Sequence, residues 1–321
     1  MRQSGNDFVS IGDIMKILLA IDVAQSTNKD EAKAAQELVN IKSLAKLLPL
    51  DKSQVTLLYV KEELPSFEQV LKAQADFPED LTHVVERRAG KILDILKKGI
   101  EKEGASVNSE IVSGPPAQLI ETVARDLGAD VVVLAQSKHH DSIFLSRVSH
   151  HVARHSPVST ILLRSDIVED SLEKPGTNTV VIGLDGSKTC KESVIKALHL
   201  LNLDKEKTNL ILTYVVNVSK IIASVTPFSF VTAMQENLMM EGEVFLTQAQ
   251  KELSDLGYKK LSIHLKAGRP DAEILKLLDE KGGNLVVIGA QGGGAIKHFL
   301  MGHICERVIS QAPVSTLVAR G

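Results

Sequence analysis

The sequence predicts an α/β protein of two tandem domains, each a five-stranded parallel sheet with helices on both faces. Three observations support this fold class. The chain has 321 residues, a length typical of two domains. Its second half repeats the order of segments of its first half. In both halves, short continuous apolar runs alternate with amphipathic segments, as in βαβ units wound around a buried parallel sheet.

The repeat is visible in four pairs of matching segments. MKILLAID matches TVVIGLD, QVTLLYVKEEL matches NLILTYVVNVS, and PVSTILLR matches PVSTLVAR. The fourth pair, 104–137 and 257–291, contains in each copy an amphipathic segment followed by an apolar run. A unit of about half the chain indicates a duplicated domain rather than a solenoid.

The repeat sets the predicted domain boundaries. The first domain covers 15–164 and the second covers 179–321, with an N-terminal extension at 1–14. Between the domains, SDIVEDSLEKPGTN (165–178) is acidic, contains Pro and Gly and has no apolar period, which is typical of a linker.

The elements of the second copy follow from its apolar periodicity. Five strands are predicted near 180–184, 209–216, 261–266, 285–289 and 314–319. The segment Asp271–Lys281 places Ile274, Leu277 and Leu278 on one helical face. Pro270 suits the first position of this helix, and Gly282 suits its end.

The composition excludes several classes of function. With a net charge of −3, a pI near 6.4, 3% aromatic residues and no Trp, the chain lacks the basic field and stacking surfaces of a nucleic-acid-binding protein. Its apolar runs are far shorter than the ~20 residues that span a bilayer, so no membrane association is expected. Two cysteines and a polar start without a signal-peptide pattern predict a cytoplasmic protein.

A glycine-rich stretch, VVIGAQGGGAIKHFLMGHICERV (286–308), follows a predicted buried strand. In open parallel sheets, ligands bind outside the carboxyl ends of the strands, where Asp185 and Gly289 are both expected. A P-loop is excluded because Ala295 follows Gly294 where Lys is required. A G-x-G-x-x-G dinucleotide motif fails in the same way, since position 297 is Lys.

The remaining pattern is Gly289-x2-Gly292-x9-Gly302-His303. Here the chain resembles the universal stress protein family, whose nucleotide-binding members carry G-x2-G-x9-G-[ST]. The resemblance extends over both copies and includes the strand-ending Asp, the G-x-P turn before a helix and the closing Pro-Val strand. It implies two tandem Rossmann-like domains of the adenine nucleotide α-hydrolase-like type. His303 departs from the pattern, where it replaces a hydroxyl residue; its backbone N–H remains, and its imidazole could also donate to phosphate.

The resemblance implies a site in the second copy for ATP, ADP or AMP, with or without Mg²⁺. Asp185 would contact the adenosine part, the Val215 backbone would line the adenine pocket, and the glycine loop and the following helix start would hold the phosphates. The implied site residues are Gly183, Leu184, Asp185, Val215, Ile288, Gly289, Gln291, Gly292, Gly293, Gly302, His303 and Ile304. The alternative is that the glycine loop serves only to form a turn and binds no nucleotide.

The first copy has lost most of this pattern. It retains Asp22, but Ala135, Lys138 and Ser146 occupy the three glycine positions, and Arg147 occupies the hydroxyl position. Side chains would then occupy the path of the phosphates. The sequence therefore predicts one nucleotide site per chain.

Histidines and cysteines are further candidate site residues. His151 and His155 are four residues apart on a predicted helix, within reach of one metal ion. No Cys and no acid at a matching helical offset completes a site, and Asp141 is the only acid close by, so surface histidines are the favoured interpretation. Cys190 and Cys305 are predicted to be buried, unreactive thiols.

The segment 221–245 is rich in Met and Phe, and the sequence leaves open whether it is a lid, a partner surface or core packing. The final strands, Val158–Leu163 and Val314–Ala319, are predicted to pair antiparallel, and a homodimer of such chains is a further expectation.

The predicted function is a nucleotide-responsive regulator of a stress response. Two alternatives stay open, a ligand-free interaction scaffold and a slow ATPase. No catalytic residue and no protein-held metal is predicted, because the sequence shows no nucleophile–base arrangement, no paired carboxylates and no metal cluster.

Overall fold

Strands and helices alternate along the chain in a computed structural model that describes residues 14–26, 28–62, 81–136, 146–164, 178–217, 228–290 and 301–321. Each copy supplies five strands. They are β1 (Met15–Ile21), β2 (Ser53–Lys61), β3 (Ser106–Ser113), β4 (Val131–Gln136), β5 (Ser159–Arg164), β6 (Thr179–Leu184), β7 (Asn209–Val216), β8 (Lys260–Ala267), β9 (Leu285–Gly289) and β10 (Ser315–Ala319).

Nine α-helices connect these strands within the described ranges. They are α1 (Glu31–Leu38), α2 (Ile41–Leu47), α3 (Leu81–Lys102), α4 (Pro116–Asp126), α5 (Arg147–His155), α6 (Lys188–Leu198), α7 (Phe228–Asp255), α8 (Pro270–Lys281) and α9 (His303–Gln311). Among the described helices, none combines the length and the hydropathy that a bilayer-crossing segment needs.

The strands form one ten-stranded sheet in the order β3-β2-β1-β4-β5-β10-β9-β6-β7-β8. Within each copy all neighbouring strands are parallel, as predicted. The two halves meet at β5 and β10, which pair antiparallel with Leu317 opposite Ile161. Two five-stranded parallel sheets are therefore continuous with each other through β5 and β10, the two final strands for which the sequence predicts antiparallel pairing.

Two apolar cores cover the two faces of this sheet. On one face, α1, α2, α3, α6 and α7 pack against strand residues such as Ile17, Ile161 and Leu317. On the other face, α4, α5, α8 and α9 pack against alternate residues such as Leu18 and Val318. Since successive strand residues point to opposite faces, continuous apolar runs are what a sheet covered on both sides requires.

The helix α8 illustrates how the sequence sets element boundaries. Pro270 occupies its first position, where the missing N–H is not needed for the helix. Gly282 ends it in the left-handed conformation with φ of 59°. The apolar residues Ile274, Leu277 and Leu278 are buried against the sheet. The helix therefore begins and ends where the sequence indicates, and its predicted face is the packed face.

Candidate functional site

The strands β6 and β9 are neighbours at the point where the strand order of the second domain reverses. From β6 the chain continues to β7 on one side, whereas β9 lies on the other side of β6. Gly183 is paired with Ile288 near the carboxyl ends of both strands. A crevice outside the carboxyl ends at such a reversal is the usual ligand position in open α/β sheets.

Asp185 lies at this reversal and begins the turn from β6 into α6. Its Oδ1 accepts hydrogen bonds from the Ser187 backbone N–H at 2.9 Å and from the Ser187 hydroxyl at 2.7 Å. The Ser187 hydroxyl oxygen in turn accepts from the Cys190 N–H at 3.2 Å and caps α6. The partly buried carboxylate is thus held at the mouth by the start of the helix that follows it.

Tyr214 forms an aromatic wall beside this carboxylate. A Cβ placed on Gly186 would lie 3.3 Å from the Tyr214 hydroxyl oxygen, and one placed on Gly242 of α7 would lie 2.6 Å from its Cδ1. Burial raises the pKa of the Tyr214 hydroxyl, and the carboxylates of Asp185 and Glu241 raise it further. Tyr214 therefore stays neutral and can offer a hydroxyl donor next to Asp185. Tyr214 is not among the site residues predicted from the sequence.

The remaining strand residues of the site are mostly buried. Leu184 is 7% exposed, Val215 is 6% exposed and Ile288 is 4% exposed, so each contributes mainly backbone to the crevice. A Cβ on Gly183 would lie 2.9 Å from Ile288 Cγ2 and 3.0 Å from Ile274 Cδ1. The structure therefore accounts for the glycine at 183 by the packing of α8 on the sheet.

A hydrogen bond joins Ala290 and Gly302, described residues on either side of the glycine loop. The Ala290 N–H donates to the Ala319 carbonyl at 2.9 Å, and the Gly302 N–H donates to the Ala290 carbonyl at 3.0 Å. Ala290 and Met301 are buried, 2% and 5% exposed. The predicted residues Gln291, Gly292 and Gly293 lie outside the described residues.

The helix α9 starts directly after this hydrogen-bonded Gly302. Gly302 is its N-cap, with an extended φ of −71° and ψ of 148°, and no side chain in the described part of the chain caps the helix. A Cβ on Gly302 would have no described heavy atom within 4 Å. Neither backbone conformation nor packing among the described residues requires glycine there. The first turn, with His303 and Ile304 at its first two positions, thus presents backbone N–H groups that favour an anion.

The equivalent helix start in the first domain, that of α5, is capped by a serine side chain. Ser146 is the N-cap of α5, and its hydroxyl oxygen accepts a hydrogen bond from the Ser149 N–H at 3.1 Å. Arg147 follows at the first helical position. The helix start that no described side chain caps in α9 is therefore capped by its own serine in α5. Lys138, the other predicted replacement, lies outside the described residues.

Charges around α9 are balanced by pairing. Glu306 lies 3.1 Å from Arg154 of the first domain, and 3.8 Å from Nδ1 of His303. The His303 side chain is 97% exposed. Because Glu306 is paired with Arg154, its negative charge at the start of the helix is offset.

Both cysteines are free and buried, in agreement with the prediction for them. Burial, with a contribution from Asp185, raises the pKa of Cys190 to about 12. Burial also raises the pKa of Cys305. Neither thiol ionises near neutral pH, so neither is suited to nucleophilic chemistry.

Two other candidates from the sequence have different outcomes. Part of the Met/Phe-rich segment, 228–245, belongs to α7, where Met240 is 58% exposed and Val244 is 59% exposed while Leu246 is fully buried. His151 and His155 do share one helix face, but Glu121 from α4 joins them, a partner that the search along the α5 sequence missed. This cluster is separate from the β6–β9 crevice.

Comparison with known proteins covers both copies. The model of the universal stress protein family matches residues 14–164 and 176–320. Two universal stress proteins of Methanocaldococcus jannaschii are 27% and 30% identical over 133 and 142 residues, which is 41% and 44% of this chain and 80% and 81% of theirs. The crystal structure of a universal stress protein from Archaeoglobus fulgidus is similar over 95% of this chain and 98% of its own, with 17% identity and a TM-score of 0.58.

Proposed function

The chain belongs to the universal stress protein family, and we propose that its second domain binds one adenine nucleotide and thereby acts as a nucleotide-responsive regulator of a stress response. The proposal takes ATP, ADP or AMP as the ligand class, with Mg²⁺ accompanying a polyphosphate. In this view the protein is a binding module.

One observation carries the proposal, namely the contrast between the starts of α9 and α5. The helix α9 begins at Gly302 near the reversal of strand order, and among the described residues no side chain caps it and no heavy atom lies within 4 Å of a Cβ placed on Gly302. The helix α5 begins at the same place in the first domain, but its own Ser146 caps it. A helix start that attracts an anion and lacks an internal acceptor fits a bound phosphate.

The rest of the crevice suits the adenosine part of such a ligand. Asp185 offers carboxylate oxygens that can accept from ribose hydroxyls, and Tyr214 offers an aromatic surface with a neutral hydroxyl. The strand ends at Leu184 and Val215 offer backbone groups for the base. The family resemblance supports Leu184, Asp185 and Val215 as well. It also supports the phosphate loop, since the G-x2-G-x9-G spacing of nucleotide-binding family members is kept at Gly289, Gly292 and Gly302.

The proposal includes a cytoplasmic location, which the two free thiols favour. It also includes two domains that stay docked in solution through β5 and β10. A homodimer of such chains is the next level of assembly in this proposal, with the exposed Met240 and Val244 on α7 as its contact.

A pair of opposite substitutions tests the nucleotide site. Gly302→Ser installs on α9 the cap that α5 already has, so it should stabilise the free protein by a few tenths of a kcal/mol and weaken ATP binding at least tenfold. Ser146→Gly is the matched control, with slightly lower stability and unchanged ATP affinity. Calorimetry with ATP, ADP and AMP, each with Mg²⁺, should give one site per chain for wild type.

Each competing function has its own outcome in the same experiment. Wild-type protein that shows no heat of binding and no thermal shift with any adenine nucleotide would favour the ligand-free scaffold. Release of phosphate from ATP with time, lost in Gly302→Ser, would favour the slow ATPase. Equal weakening by Gly302→Ser and Ser146→Gly would contradict a site confined to the second domain.

A further inference from the structure

Three side chains that bind metals in other proteins come together on the outer surface of the first domain. Glu121 of α4 and His151 and His155 of α5 place one potential ligand atom each within 4.8 Å of one another. Among the described residues no other group of three His, Cys, Asp or Glu side chains is this close. We propose that this Glu121–His151–His155 cluster is a binding site for a divalent transition metal of the Zn²⁺ class.

The spacing of the ligand atoms supports the proposal. His151 Nε2 lies 3.4 Å from Glu121 Oε1. Bonds of about 2.0–2.2 Å from a tetrahedral Zn²⁺ place neighbouring ligand atoms roughly 3.3–3.6 Å apart, so this pair already has the separation of a tetrahedral edge. The His151 and His155 rings lie with their centroids 4.3 Å apart, and one nitrogen of His155 already lies within 4.8 Å of the ligand atoms of the other two residues.

Hydrogen bonding prepares His155 to act as a ligand. Its Nδ1 lies 3.0 Å from the His151 carbonyl oxygen, which can only accept, so Nδ1 carries the proton in that hydrogen bond. A neutral imidazole then keeps its lone pair on Nε2, the form in which histidine binds a metal.

A bound cation would compensate the buried carboxylate oxygen of Glu121, which lacks a hydrogen bond. Glu121 Oε1 is buried and makes no hydrogen bond in the described structure, although the side chain is 17% exposed. His151 Nε2 lies 3.4 Å from this oxygen, and a buried carboxylate oxygen that accepts no hydrogen bond is destabilising. The Arg320 guanidinium is near enough for its charge to interact with Glu121, but its Nη2 donates to the Ala153 and Arg154 carbonyls at the end of α5.

The chemistry of the cluster selects the class of metal. Two imidazoles and one carboxylate match Zn²⁺, whereas Mg²⁺ and Ca²⁺ prefer oxygen ligands alone. The His151 side chain is 46% exposed, so an ion can enter from solvent and keep a water as its fourth ligand. In the second copy the corresponding residues are Leu275, Arg307 and Gln311, which provide no such ligand set.

The test uses the full chain without a polyhistidine tag, stripped of metal by a chelator and dialysed. Zn²⁺ is titrated against a chromophoric competitor, and Co²⁺ is added separately to record its visible spectrum. One Zn²⁺ per chain should bind and raise the melting temperature. The Co²⁺ spectrum should have the intensity of a four-coordinate site. Mg²⁺ should neither bind nor compete.

Substitutions assign the ligands. His151→Gln, His155→Gln and Glu121→Gln should each weaken Zn²⁺ binding at least tenfold, while His150→Gln, next to the cluster on α5, should leave the affinity unchanged. If Glu121→Gln fails to fold, as circular dichroism without metal would show, the partly exposed His155 decides the outcome. Wild-type affinity in His155→Gln, or equal weakening by His150→Gln, would overturn the proposal.

Discussion

The backbone N–H of Arg320 donates to the hydroxyl oxygen of Ser159 at 3.0 Å, joining the end of the second domain to the start of the last strand of the first. The reverse contact is also present, because the Arg164 N–H donates to the Ser315 hydroxyl oxygen at 3.1 Å. The two contacts flank the antiparallel pairing of β5 with β10 and are related by an approximate two-fold axis. The repeated sequence Pro-Val-Ser-Thr thus supplies one reciprocal hydroxyl from each domain.

This relationship predicts that the two serines hold the domains together. Ser159→Ala and Ser315→Ala each leave a backbone N–H of the other domain without its acceptor, at a cost of about 1–2 kcal/mol. After proteolysis at a site inserted into the linker, the affinity between the two halves should fall about tenfold for each substitution.

Ser53→Ala is the matched control for these variants. Ser53 is 4% exposed, as is Ser159, but it donates to the Pro49 carbonyl within its own domain. It should lower the stability of the first domain and leave the association of the halves unchanged. An equal loss of association in all three variants would mean that the serines act only by stabilising their own domains.

A second prediction concerns the glycine in the middle of α7. A Cβ on Gly242 would lie 2.6 Å and 2.8 Å from two ring carbons of Tyr214. Gly242→Ala should therefore destabilise the protein by about 1–3 kcal/mol, despite the higher helix propensity of Ala, because the ring must move. Near-ultraviolet circular dichroism, which in a chain without Trp reports mainly on its three tyrosines, should change as well.

Gly90 of α3 is the control for that substitution. A Cβ on Gly90 would have no described atom within 4 Å. Gly90→Ala should stabilise the protein by about 0.5–1 kcal/mol, since only the helix propensity changes. Two glycine-to-alanine changes within helices should thus have opposite signs in denaturant unfolding, and a shared sign would contradict the packing of Tyr214 on Gly242.

The third prediction is that Asp271 stabilises the protein in a pH-dependent way. Burial alone would raise the pKa of this 4% exposed carboxyl, but hydrogen bonds from Arg269 and Arg307 lower it overall. A pKa lowered by folding stabilises the protein above the unfolded value, about 3.9, and this stabilisation is lost as the pH falls through the folded value.

At pH 6, Asp271→Asn should therefore lower the free energy of unfolding by about 1–3 kcal/mol, and the difference from wild type should shrink below about pH 3.5. Glu280→Gln on the same helix is the control, because Glu280 is exposed and pairs with the exposed Lys276 at 3.6 Å. A difference for Asp271→Asn that is constant from pH 6 to pH 3 would show that lost packing, not charge, is responsible.

Much of the fold could be predicted because its signals are local and occur twice. Buried parallel strands produce continuous apolar runs, and the predicted strand at 285–289 agrees with β9 to the residue. The continuity of the two sheets agrees with the predicted pairing of the final strands. The hydroxyl contacts beside that pairing, such as Ser159 with Arg320, join residues that are 161 positions apart and follow from no local pattern.

The site was only partly predictable for the same reason. Asp185 is expected from its place after a predicted strand and Gly302 from the motif spacing, and both lie where the carboxyl ends of the strands meet. Tyr214 was missed, although the shared Leu-x-Tyr-Val at the end of β2 and β7 was a usable signal. Glu121 belongs to a different helix from His151, so a search for ligands at helical offsets could not find it.

The capping of α5 by Ser146 was also within reach of the sequence. Ser146 was interpreted as a lost glycine, and its position before the helix Arg147–His155 also matches a preferred N-cap residue. In the proposed function, this cap takes the place that a phosphate occupies at the start of α9. The two copies therefore differ in whether a side chain of the described residues caps this helix start.

The proposed phosphate site depends on backbone N–H groups of α9, and proline can remove one of them without ending the helix. His303 is the first helical residue, where proline is well tolerated, and Gly302 before it already has the extended ψ of 148° that a residue preceding proline prefers. His303→Pro should keep the fold and lower the affinity for ATP about tenfold, as expected for the loss of one charge-assisted hydrogen bond. His303→Ala keeps the N–H and should bind ATP as wild type does, since the imidazole is 97% exposed. Arg147→Pro makes the same change at the first position of α5 and should not alter ATP binding. If calorimetry finds wild-type ATP affinity in His303→Pro, the first N–H of α9 does not contact the nucleotide. If His303→Pro and His303→Ala lose the same affinity, the contact is made by the imidazole instead.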